Sequence, residues 1–160
     1  MTSREDVFRV FVAVARRIWG DRTVSLLHLV LSDEEPQHGV LASLAYAGRP
    51  AAHGNVLLQS AGRYTLRVAS RLLVMSPLDI ERLMIHEAVH IGYKLHDAHF
   101  VEMVRAYGGA VSESGLAGVK VERKEGARYR VIATFATEGE ALAWAKEERA
   151  RHPGQYRLTL

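Results

Sequence analysis

Residues 86–90 read His86-Glu87-Ala88-Val89-His90, and a third histidine, His96, follows six residues after His90. An α-helix places positions i and i+4 one above the other, so His86 and His90 can offer their imidazoles to one ion while Glu87 faces the same cavity. Three nitrogen ligands on zinc leave a fourth position for water, whose pKa the metal lowers to about 7. A glutamate beside that water is a general base. His86, His90 and His96 with Glu87 therefore predict a hydrolytic centre with Zn2+ as cofactor.

The motif lies within Ile80-Glu81-Arg82-Leu83-Met84-Ile85-His86-Glu87-Ala88-Val89-His90-Ile91, apolar on nearly every side, as a helix buried in a core must be. Polar groups turned inward there need partners, because an unsatisfied one costs roughly 1–3 kcal/mol. Ser76-Pro77-Leu78-Asp79 provides an N-cap serine, a proline at the first helical position and a carboxylate in the first turn. Gly92 is expected to end the helix in the left-handed conformation, so that the chain turns before His96.

His86-Glu87-Ala88-Val89-His90, a spacer of five residues, then His96-Asp97-Ala98-His99-Phe100 resembles the SprT-like and related minimal zincin metallopeptidases. The likeness runs from about Met75 to Gly109. Those families carry a His-Gly-x-x-Phe sequence whose histidine is the third ligand and whose phenylalanine packs the following helix. His96 and Phe100 match it, Asp97 stands where glycine is usual, and the short spacer is similar to that of compact YgjP-like and WLM-type relatives. The resemblance implies peptide-bond hydrolysis by metal-activated water with Glu87 as base, a protein or peptide substrate, and a cleft bordered by the edge strand of the sheet. Metzincins share the histidine spacing, but their glycine would fall at Tyr93, and Gly92 is one place early.

Three neighbours have alternative roles. His99 competes with His96 as third ligand, and the His-x-x-x-Phe match favours His96. Asp97 either orients a ligand imidazole or caps the next helix. Tyr93 either donates to a tetrahedral oxyanion or packs. His28, His38, His53 and His152 show no ligand spacing.

The elements that must position this site can also be read. Ser3-Arg4-Glu5-Asp6 is a variant of the capping box, followed by an apolar stripe from Val7 to Trp19 and closed by Gly20, which predicts an amphipathic helix. Short β-rich runs at 23–31, 39–47, 55–59 and 64–74, separated by turn-forming clusters, predict a small and mostly antiparallel sheet, with 55–59 as its edge strand. A backing helix is expected over 97–107, stopped by Gly108-Gly109. Beyond a Gly/Ser-rich stretch, two alternating runs across Gly126, a helix with Thr137 as N-cap, and a last run at 155–160 make a ββαβ unit. The fold class is thus α+β: a minimal zincin-like metallopeptidase domain over 1–109, a linker at 110–118, and a small basic subdomain over 119–160.

Residues 1–116 carry 12 basic and 12 acidic side chains and residues 117–160 carry 9 and 6, so the net charge of +3 resides in the tail. The stretch from Phe135 to Trp144 is similar to the small sheet-plus-helix arm modules of phage integrases, and a basic surface attracts phosphate. This carries the alternative function: a DNA- or protein-binding module on a zincin fold, its metal mainly structural. Nucleic acid would then bind through residues 119–160, and a helper subdomain that covers the core or supports an oligomer is the competing reading of that unit. The absence of cysteine excludes disulfides, a thiol nucleophile and a zinc ribbon. No apolar run reaches the 18 or so residues of a membrane span, and no secretory signal pattern opens the chain, so a cytoplasmic, membrane-free location is expected.

Overall fold

The computed structural model describes residues 2–47, 62–113, 119–135 and 138–159. Ser3 caps the first helix, α1 (Arg4–Trp19), through a complete capping box with Asp6, and Gly20 ends it at φ 86°. The expected strand over 23–31 is shorter than predicted. Asp21–Ser25 is a helical turn, α2, closed by Val24 N–H donating to the Gly20 carbonyl at 3.1 Å. Local hydrogen bonding at the restart after Gly20 overrides the β-propensity of Thr23 and Val24.

Three strands follow: β1 (His28–Leu31), β2 (Ala42–Ala47) and β3 (Arg63–Val68). Their order is β1-β3-β2, with β1 parallel and β2 antiparallel to β3. The sheet is therefore mixed rather than mostly antiparallel. The run read as strand to residue 74 breaks at Ala69, and Ser70–Val74 forms a 3-10 helix. Apolar runs such as Leu72-Leu73 do not by themselves distinguish strand from helix. The expected edge strand at 55–59 lies outside the described residues, and so does His53. Among the described residues the edge strands are β1 and β2.

Helix α3 (Pro77–Val89) starts as its sequence requires, Ser76 Oγ accepting from Asp79 N–H. It packs with α1 against the sheet, in a core that includes Phe11, Tyr64, Leu66, Met84, Ile85 and Phe100. Helix α4 (Ala98–Ala106) is capped by Asp97, and the chain leaves it through Gly108 at φ 78°.

Gly92 is needed for a reason other than the one its position suggested. It is not among the glycines with positive φ. A Cβ built there would lie 2.2 Å from Trp19 Cη2, and the Trp19 indole N–H donates to the Ala88 carbonyl at 2.8 Å. The indole of α1 thus fills the space beside the turn after α3, and only glycine leaves room for it.

The C-terminal unit has the expected order: β4 (Val119–Glu125), β5 (Arg128–Phe135), α5 (Glu138–Arg151) and β6 (Tyr156–Thr159). Its sheet runs β5-β4-β6, all antiparallel, around a separate cluster of buried apolar residues, and Thr137 lies outside the described residues. No described helix is long and apolar enough to cross a membrane.

Gly92→Ala should destabilise the protein by about 1–3 kcal/mol through overpacking against Trp19. Chemical denaturation checks this, and a Trp19→Phe background should recover part of the loss.

Candidate metal centre

Helix α3 and the turn after it bring three imidazoles together. His86 lies one turn before the helix end, His90 is the C-cap, and His96 returns from the turn that precedes α4. His90 Nε2 lies 3.2 Å from His86 Nε2 and 2.9 Å from His96 Nε2, and the three ligand atoms are all within 4.8 Å of one another. Zinc–nitrogen bonds of about 2.0–2.1 Å at tetrahedral angles would separate such nitrogens by about 3.3 Å.

The far sides of two rings decide where their protons are. His86 Nδ1 is 2.9 Å from the Ala110 carbonyl and His90 Nδ1 is 2.9 Å from the Tyr93 carbonyl. A carbonyl can only accept, so each Nδ1 carries hydrogen and the neutral ring keeps its Nε2 lone pair. Burial holds both rings neutral, lowering each pKa to about 4, with the neighbouring histidines adding to the effect. The lone pairs of His86 and His90, facing each other at 3.2 Å, repel unless a cation or a donated hydrogen lies between them. The donor set therefore fits a metal ion, and imidazole suits zinc, copper, iron and nickel.

Phe100 supports the whole group. Its fully buried ring lies with its centroid 4.9, 4.5 and 4.7 Å from those of His86, His90 and His96. Asp97 Oδ1 accepts from Phe100 N–H at 2.9 Å, so the residue after His96 starts the helix that carries Phe100. His99 is exposed and stands outside the converging group, its ring stacked with Tyr93 at 6.5 Å. The Tyr93 ring packs on Trp19 at 6.2 Å, and its carbonyl rather than its phenol meets a ligand.

Glu87 is 4% exposed and accepts a hydrogen bond from Leu44 N–H of β2. Burial first, and the nearby Glu113 second, push its pKa up to about 8, against the pull of the Leu44 bond. Glu113 accepts from Leu41 N–H at 2.6 Å. Its own pKa is raised by burial and drawn back by Leu41 and by the Arg71 guanidinium.

His86, Glu87, His90 and His96 open into a cleft of about 1290 Å³. Leu44 and Tyr46 of β2 line one side, and Tyr129 and Val131 of β5 with Trp144 of α5 line another. His38 and His152 also border it, both against Glu148, at 3.0 and 3.9 Å. No family model matches the chain, and no match was found among curated proteins or solved structures.

Sequence reasoning did not single out Glu113, the Ala110 carbonyl or the Trp19 indole. Residues 110–113 read as linker because Gly108-Gly109 and the serines around Glu113 mark a loop. Only the return of that loop to the end of α3 brings a carbonyl and a carboxylate to the site.

In the metal-free protein, NMR titration should show the His86 and His90 rings protonating near pH 4. The folded Glu87 pKa lies above its unfolded value, so the folded state binds more protons between pH 4.5 and about 8, and its contribution to stability is lost as pH rises through that window. Metal-free Glu87→Gln should therefore gain stability over wild type at pH 8, and the gap should close at pH 5, as read from denaturation midpoints.

Proposed function

We propose that this protein is a zinc-dependent metallopeptidase in which His86, His90 and His96 hold the ion and Glu87 is the general base. The observation that carries this reading is the convergence of three imidazole nitrogens beside a buried carboxylate at the wall of an open cleft. Structural zinc sites are closed by four protein ligands, whereas hydrolytic sites keep a position for water or substrate. The described residues provide three ligands here, and the third, His96, is solvent-exposed.

When bound, zinc would acidify water and polarise a carbonyl. The rest of the work falls to the chain. Leu44 N–H orients the Glu87 carboxylate, and burial with Glu113 raises its affinity for the proton it must take and later deliver to the leaving amine. Leu44 N–H points away from β3, so in the antiparallel ladder the backbone groups of Ala42, Leu44 and Tyr46 lie on the outer edge of β2. An extended peptide can pair with such an edge.

Purified wild type should contain about one zinc per chain by elemental analysis and hydrolyse an unfolded protein. Glu87→Gln should keep the metal and lose about 10²–10⁴-fold in kcat. His96→Ala should lose metal while His99→Ala retains it. Zinc-loaded wild type without turnover on any unfolded substrate would refute the reading.

A further inference from the structure

The metal cleft is bordered by edges of both sheets. β2 is one such edge, and β5, which pairs with β4 alone among the described strands, is the other. The two-residue turn Gly126-Ala127 makes Glu125 and Arg128 a paired couple, and alternation along the hairpin then leaves the backbone groups of Tyr129 and Val131 directed away from β4. Both residues line the cleft. Between them and Ala133 the register shifts: Val121 pairs with Ala133 and Glu122 with Val131, so Ile132 is the extra residue of a β-bulge. Its carbonyl oxygen lies 3.2 Å from where a Cβ on Gly39 would be, so the bulge brings β5 against the loop that leads into β2. Bulges re-aim strands in this way and are frequent beside active sites.

The two units are fastened along the same line. Thr134 Oγ1 donates to the Glu113 carbonyl at 3.4 Å, the Arg71 guanidinium lies 5.1 Å from the centre of the Phe135 ring, and His38 stacks on Trp144 at 5.1 Å. Arg123 and Arg130 of the hairpin pair with Glu125, and Arg157 of β6 pairs with Glu122. The backbone groups of Tyr129 and Val131 directed into the cleft suit a polypeptide, whose own N–H and C=O groups can pair with them, over a nucleic acid. The cleft also exceeds the roughly 300–1,000 Å³ of ordinary small-ligand pockets.

We propose that the C-terminal unit is the second wall of the substrate cleft, and that an extended polypeptide lies between β2 and β5, contacting the cleft-facing edge of each. This rests on the peptidase reading for the identity of the substrate, and it assigns to residues 128–132 a role in binding rather than chemistry. The test is hydrogen exchange on zinc-loaded Glu87→Gln protein, with and without reduced and carboxymethylated α-lactalbumin as the probe. The outward amides of Ala42 on β2 and of Tyr129 and Val131 on β5 should all slow by at least tenfold. Protection of β2 alone, or of neither strand, overturns the proposal, as does protection of β4 and β5 by a short DNA duplex but not by the polypeptide. Val131→Pro, which removes an N–H that the β4 ladder does not use, should weaken probe binding at least fivefold with zinc content unchanged. Unchanged binding in that variant also overturns the proposal. Turnover of the same probe by zinc-loaded wild type is scored separately, so a failed clamp and a failed peptidase give different results.

Discussion

Two imidazole lone pairs, those of His86 and His90, forced toward one point beside the His96 ring are the constraint on which the rest of the structure depends. His86 and His90 cannot turn their protons inward, because their Nδ1 atoms are committed to the carbonyls of Ala110 and Tyr93. Such outer bonds fix the tautomer and orientation of a metal-binding histidine. They also require distant parts of the chain to arrive in place. Ala110 comes from beyond α4 and is itself anchored, its N–H donating to the Arg82 carbonyl at 3.1 Å. Tyr93 comes from the turn that Trp19 and Gly92 shape together.

The buried carboxylate is held by an equally indirect arrangement. Glu87 lies next to His86 in sequence, but its hydrogen-bond partner is a strand backbone, and its electrostatic neighbour is a glutamate 26 positions further on. A carboxyl group taken out of water holds its proton more tightly, and a second carboxylate nearby increases the effect. Arg71 moderates Glu113 from the 3-10 helix, so the charge balance around Glu87 draws on β2, the 3-10 helix, α3 and the chain after α4. A basic residue lost from that set would be felt at Glu87 without touching it.

The C-terminal unit stands on its own apolar cluster, yet its contacts with the rest of the chain gather at the cleft rather than away from it. Gly39 and His38 meet Ile132 and Trp144, while Glu113 joins Leu41 to Thr134. The loop between β1 and β2 and the chain after α4 are thus shared between the histidine cluster and the appended sheet.

What the sequence determined by itself was mostly local. The i, i+4 histidines, the caps at Ser3, Ser76 and Asp97, the ends of α1 and α4 at Gly20 and Gly108, and the ββαβ order all follow from interactions within a few residues. The spacing of His96 and Phe100 belongs to the same kind, because one tight turn and one helical turn span it. Tertiary structure alone decided the rest. Strand length at residues 23–31 and 64–74 depended on competition with local helical turns, and the parallel pairing of β1 on β3 depended on a long-range register. Glu113, Ala110 and Trp19 acquired their roles only when chain segments far apart in sequence were packed together. Motif spacing reports what neighbouring residues can do on one element, whereas burial, hydrogen-bond partners and pKa are properties of the space between elements.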